Sequence, residues 1–176
     1  AMIVSVGNQR YVIPITNIVE SSRPRVDAIS SVMNQWDMFF ARGTYVNLLH
    51  LYQVFGIEGA QQDPTKGLVI LVENDEGERM AVLVDDILGQ QQVVIKSIES
   101  NYKRMKGISA ATILGDGCVA MILDIPELCR MRTHKEIAGV ASSPMDEIGS
   151  EAVLASTNSQ LINITQERSY YNGSST

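Results

Sequence analysis

GISAATILGDGCVAMILDIPEL, residues Gly107 to Leu128, is the most clearly punctuated stretch of the chain. Two apolar runs of strand length, Ala110 to Leu114 and Cys118 to Leu123, flank Gly115-Asp116-Gly117, whose glycines can supply the positive φ of a tight reversal. In the second run Val119, Met121 and Leu123 alternate with Cys118, Ala120 and Ile122. Both faces are therefore apolar, and the strand is expected to be buried on both sides, inside a closed barrel or between layers. Asp124 ends the run, Pro126 cannot donate to a ladder, and Glu127, Leu128 and Arg130 fit a short helix with Pro126 near its first turn. The β part of the protein is expected to end there.

Working outward, the same pattern of short runs and turn residues recurs. Met2 to Val6 and Tyr11 to Pro14 read as a hairpin around Gly7-Asn8-Gln9. Ile15, Ile18 and Val19 then fall on one face of a single helical turn, and Ser21 to Arg25 reads as a polar loop. Met38 to Ala41 and Tyr45 to Leu49 flank Arg42-Gly43-Thr44 as a second hairpin, and Leu51 to Gly56 fits a short helix closed by Gly56. Residues 59–67, rich in Gln, Asp, Pro and Gly, form the best internal linker, where a change of lobe is expected. Leu68 to Val72 and Met80 to Val84 make a third hairpin, ended by Asp85 to Gly89, and Gln90 to Ile95 reads as a further strand. Nine or ten strands at this spacing predict an all-β domain of small barrels, with a polar tail of at most one helix from Thr133 to the end.

The composition narrows the function classes. Fourteen basic against twenty acidic residues give a net charge of -6, the wrong sign for neutralising many phosphates, so nucleic acid is not an expected partner. Cys118 and Cys129 have neither CxxC spacing nor a neighbouring histidine, which predicts buried free thiols in a reducing, cytoplasmic setting. No apolar run approaches the ~20 residues of a membrane-spanning helix. Ala1-Met2 leads straight into an apolar run, an opening expected of a fragment of a longer protein.

Catalysis has no visible carrier in the sequence. Asp85-Asp86 could in principle hold magnesium, but adjacent carboxylates at a strand end point to opposite sides and are ordinarily solvated. His50, within an apolar run, reads as packed or surface rather than as a ligand, and the basic stretch Lys96 to Lys106 carries Tyr102 as its single aromatic. Neither a catalytic residue nor a metal or cofactor site is expected. A binding module acting through apolar patches and loops would have this character.

The run QQVVIKSIESNYKRMKGISAATILGDGCVAMILDIPEL, Gln91 to Leu128, closely resembles the end of the CheW-like regulatory domain at the C-terminus of bacterial chemotaxis histidine kinases of the CheA type. The resemblance extends through RYVIPITNIVES (Arg10 to Ser22), ARGTYVNLL (Ala41 to Leu49) and LVDDILGQQQ (Leu83 to Gln92), and so covers about residues 2–132, with 133–176 left as the tail. The VIKS and GISAATILGDG strings resemble the kinase's own domain more than the free-standing adaptor CheW, which is the alternative.

The resemblance implies two interlocked SH3-like five-stranded β-barrels with short helices and no catalytic activity. It further implies docking to the adaptor CheW, to the cytoplasmic tips of chemoreceptors and to the rest of the kinase, at membrane-associated arrays and without membrane insertion. Carried over position by position, it places one contact patch at Ile15, Ile18 and Ile87 and a second at Arg42, Tyr45 and Val32. For the isoleucines the alternative is ordinary core, and for Arg42 a solvated turn arginine. The chain departs from the family in SSVMNQWDMFF, where glycine and charge are usual, and at Asn47, where many relatives have proline.

Overall fold

Short β-branched runs separated by turn residues become eleven strands in the computed structural model, which describes residues 1–32, 36–94 and 105–131, all within the compact unit Ala1–Ser143. In chain order they are β1 (Met2–Val6), β2 (Gln9–Ile13), β3 (Ile18–Ser22), β4 (Ile29–Val32), β5 (Trp36–Ala41) and β6 (Thr44–His50). The short helix α1 (Leu51–Val54) follows, then β7 (Leu68–Glu73), β8 (Arg79–Val84), β9 (Asp86–Gln90), β10 (Ile108–Ile113), β11 (Val119–Leu123) and α2 (Ile125–Arg130). No helix among the described residues is long and apolar enough to cross a membrane.

Two sheets share these strands. One has five, in the order β10-β11-β2-β1-β9, and the other six, in the order β3-β7-β8-β6-β5-β4. Each contains one parallel pair, β2 with β11 and β6 with β8, and is otherwise antiparallel. Because the five-stranded sheet takes its strands from both ends of the segment and the six-stranded sheet from the middle, the two lobes are interleaved in sequence. This is the paired SH3-like barrel arrangement, with a sixth strand in the second lobe where Ile29–Val32 pairs along β5. The chain changes sheets at a 3₁₀ turn, Ile15–Asn17, and again at Asp85, whereas residues 59–67 join α1 to β7 within the six-stranded half.

The hairpin at Gly107 to Leu128 forms as its punctuation requires, although of the two turn glycines, Gly115 and Gly117, only Gly117 adopts a positive φ, at 83°. Asp116 Oδ1 accepts the Cys118 amide at 3.1 Å and steadies the turn. Cys129 is buried and Cys118 is exposed, because Cys118 sits on the turn side of β11, and neither forms a disulfide. Asp124 caps α2 by accepting the Glu127 amide at 2.9 Å, with Pro126 in the first turn, where a missing N–H leaves no partner unserved. Glu127 Oε2 in turn accepts the Gly107 amide at 2.7 Å, fastening the helix back onto the start of the hairpin.

The helical turn and the polar loop read from the sequence are each partly strand, since Ile18–Ser22 forms β3 between the turn at Ile15–Asn17 and the irregular residues 23–25. The Ile15 turn is only three residues long, and IVESS then pairs with β7, Glu20 opposite Leu71 and Ser21 opposite Ile70. The ladder to an apolar neighbour outweighs the polar side chains. The strand expected from Gln90 to Ile95 instead ends at Gln90. Gln91 exchanges backbone bonds with Ala1, and the Val94 carbonyl accepts the Thr112 hydroxyl at 2.9 Å, so Gln91–Val94 runs from the β9 edge to the β10 edge. Ile95 and the tail from residue 133 lie outside the described residues.

Each lobe has its own interior, one around Ile3, Val12, Ala120 and Ile122, the other around Phe39, Val46, Leu48 and Leu71. Tyr11 of the first lobe stacks on Phe55, just after α1, with ring centroids 5.4 Å apart. Burial pushes the Tyr11 phenol above its ordinary range, and its hydroxyl donates to Gln9 Oε1 at 2.7 Å. This shared layer makes the lobes one packed body.

Candidate docking surface

The first patch lies at the crossovers between sheets. Pro14 ends β2 and leads into the 3₁₀ turn, which leaves Ile15 48% exposed, far more than an isoleucine of the core. Ile18, half-buried, opens β3 opposite Val72. On the other crossover, Ile87 is half-buried opposite Val4 in the edge strand β9. The ladder then shifts, since Ile3 lies opposite Gly89, so Leu88 is the extra residue of a bulge and stands 51% exposed. Leu88 was not singled out from the sequence; only the register of β1 on β9 reveals it.

The second patch is the β5–β6 hairpin. Arg42-Gly43 is a two-residue turn with φ of 51° and 82°, the positive pair that suits a right-twisted hairpin, with Arg42 the one non-glycine residue of positive φ among the described residues. Its Nε donates to Glu20 Oε2 at 3.0 Å. Glu20 belongs to β3, the opposite edge of the six-stranded sheet, so this pair joins strands that are remote in sheet order. Beside it, Tyr45 and Phe40 pack with centroids 5.0 Å apart and stand 54% and 45% exposed.

The structure therefore brings Arg42 and Tyr45 together on one hairpin, and Ile15 and Ile18 on one crossover. Val32 is apart from its expected companions: it pairs with Trp36, at the far end of β5 from the Arg42 turn. The four residue steps from Trp36 to Phe40 span about 13 Å of strand. Phe40 and Glu20 take the place beside Arg42 instead, and neither was legible as a surface residue from the pattern of apolar residues.

The acidic pair and the histidine also find partners. Asp85 accepts the amides of Gly7, at 2.8 Å, and Gln61, at 2.9 Å, while Asp86, exposed, accepts the amide of Ile87. His50 is buried with Nε2 2.7 Å from Asp37 Oδ2, and its Nδ1 is buried without a partner. No cluster of three metal-ligating side chains occurs among the described residues. Of the basic stretch, residues 96–104 lie outside the described residues.

These features define a double-barrel β domain with exposed apolar side chains at its crossovers and on one hairpin. Comparison with known proteins carries the classification further. The chain belongs to the CheW-like domain family, whose profile matches residues 1–133. It is 39% identical over 141 residues to the chemotaxis protein CheA of Klebsiella aerogenes, a match covering 80% of this chain and 22% of that protein. It is 45% identical over 124 residues to the chemotaxis protein CheA of Rhizobium meliloti, covering 70% of this chain and 16% of that protein. The chain thus spans about a fifth of the length of the curated relatives it matches. Among solved structures, the scaffolding protein TtCheW from Thermoanaerobacter tengcongensis superposes with a TM-score of 0.53 at 14% identity, over 70% of this chain and 87% of that one, a likeness of fold.

Proposed function

We propose that this chain is the docking and regulatory domain of a bacterial chemotaxis histidine kinase, working without chemistry of its own and without a cofactor. In this reading it binds the adaptor CheW and the cytoplasmic tips of chemoreceptors, and passes receptor state to the kinase regions of the same protein at membrane-associated arrays. The observation that carries it is the exposure of apolar side chains where the chain passes between sheets, Ile15 foremost, within a fold of this family. Identities of 39% and 45% to CheA proteins favour the kinase's domain over a free-standing adaptor.

The first patch, Ile15, Ile18 and Ile87 with Leu88, is assigned to the adaptor. The second, Arg42 and Tyr45 with Phe40, is a separate contact. Titration calorimetry of the 176-residue chain against the CheW of the same genome tests the reading. Saturable binding that Ile15→Ser weakens in a folded chain supports it, and absence of binding by the folded unaltered chain overturns it.

A further inference from the structure

One carboxylate ties two other backbone segments to its own where the first patch begins. Asp85 stands alone between β8 and β9, the last residue before the chain returns to the five-stranded sheet. Its Oδ2 accepts the Gly7 amide of the β1–β2 turn at 2.8 Å, its Oδ1 accepts the Gln61 amide of the α1–β7 connection at 2.9 Å, and its own amide donates to the Ser5 carbonyl at 2.9 Å. The surroundings are tight: a Cβ on Gly7 would lie 2.8 Å from both the Glu58 carbonyl oxygen and Ile57 Cγ2. Both lobes thus meet at Asp85.

We propose that Asp85 is the positioning residue of the first docking patch, fixing the register in which β9 presents Ile87 and Leu88. This rests on the docking role proposed above. β9 is an edge strand, held by β1 alone, and its ladder already carries one bulge after Ile87. A bulged edge has a competing register one residue away, and a slip of one residue exchanges the two faces of a strand. In the slipped register Leu88 would face Val4 and Ile87 would turn to the other face. Anchoring at the first residue before β9 excludes that slip. Asparagine is nearly the same shape, but it offers one acceptor oxygen and sets an NH₂ against the second amide, so Asp85→Asn removes the anchor with the least disturbance.

The experiment measures adaptor affinity by calorimetry for the 176-residue chain, for Asp85→Asn, for Ile87→Ser and for the pair. A residue acting through Ile87 gives strongly non-additive losses: about a tenfold drop for Asp85→Asn alone and less than about a twofold further drop when Ile87 is already serine. Equal fold losses in both backgrounds, an unchanged affinity, or a variant that no longer folds overturns the proposal, since each makes Asp85 either irrelevant to the patch or a general requirement of the fold. Amide exchange in the free chain separates this idea from the docking role itself. Exchange at Gly7, Gln61 and Ile87 is expected to rise about tenfold in Asp85→Asn whether or not the adaptor binds. Unchanged exchange removes the anchor, whereas absence of binding by the unaltered chain removes the docking reading.

Discussion

Ile15→Ser separates a contact residue from a core residue by magnitude. Burying an isoleucine completely stabilises by about 1.5–3 kcal/mol. With 48% of Ile15 exposed, roughly half of that, about 0.7–1.5 kcal/mol, is still available to a partner. An adaptor that covers the rest of the side chain therefore loses affinity about 3- to 12-fold when it is replaced by serine. The hydroxyl, desolvated in the contact, moves the loss toward the upper end. The half already packed in the free chain sets a second number, a melting temperature lowered by about 2–6 °C. The turn itself should persist, because it is closed by the Asn17 amide on the Pro14 carbonyl at 3.0 Å and not by the Ile15 side chain. Calorimetry for affinity and circular dichroism for melting read both quantities from one preparation. Unchanged affinity in a folded chain, or a collapse of the melting transition, refutes the reasoning: the first removes Ile15 from the contact and the second returns it to the core.

Other predictions concern the frame that carries the patches. Gly107→Ala places a Cβ 2.6 Å from Leu128 Cδ2 at a φ of +84°, and strain plus overpacking should destabilise by about 2–5 kcal/mol. Gly77→Ala, at a φ of +80° with open space around it, loses only the strain portion, and urea titrations of the two variants should differ accordingly. Asp37→Ala takes away the partner of His50 Nε2 beside an already unpartnered Nδ1, and equilibrium unfolding should show a loss of about 1–3 kcal/mol. The Asp63 carboxyl is held below its ordinary 3.8 by the hydroxyl and then the amide of Thr65. A value lower in the folded than in the unfolded chain gives stability fully present above 3.8 and lost as pH falls through the folded value. Asp63→Asn should therefore lower the urea midpoint near neutrality, and that difference should shrink toward pH 2.

What the sequence disclosed is what lies close together along the chain. Gly117 and the Arg42-Gly43 pair mark reversals whose two arms are only a few residues apart, so local chemistry sufficed. Asp124 and Pro126 announced α2 for the same reason. What it withheld depends on distant partners. Ser21 and Ser22 become strand because Ile70 and Val69 lie opposite, and no periodicity in IVESS says so. Leu88 faces outward because of a bulge against Ile3 and Val4. Asp85 looked like a solvated carboxylate, since its partners Gly7 and Gln61 are 78 and 24 residues away. The candidate contact isoleucines came from family resemblance, because an exposed Ile15 and a buried Ile13 share the same local composition.

The interleaving of the two sheets has a consequence for how the domain is made. β2 finds its parallel neighbour β11 only after the whole six-stranded lobe has been synthesised, and Arg10 meets Asp116 across 106 residues of chain. A nascent or truncated chain ending before Gly107 therefore holds β1 and β2 with an open flank and half an interior. Closing so long a loop before any contact rewards it makes for slow folding. Neither lobe is a separable part: a stop codon or protease cut that removes the last hairpin disables the first one too, and the two candidate surfaces come into being together.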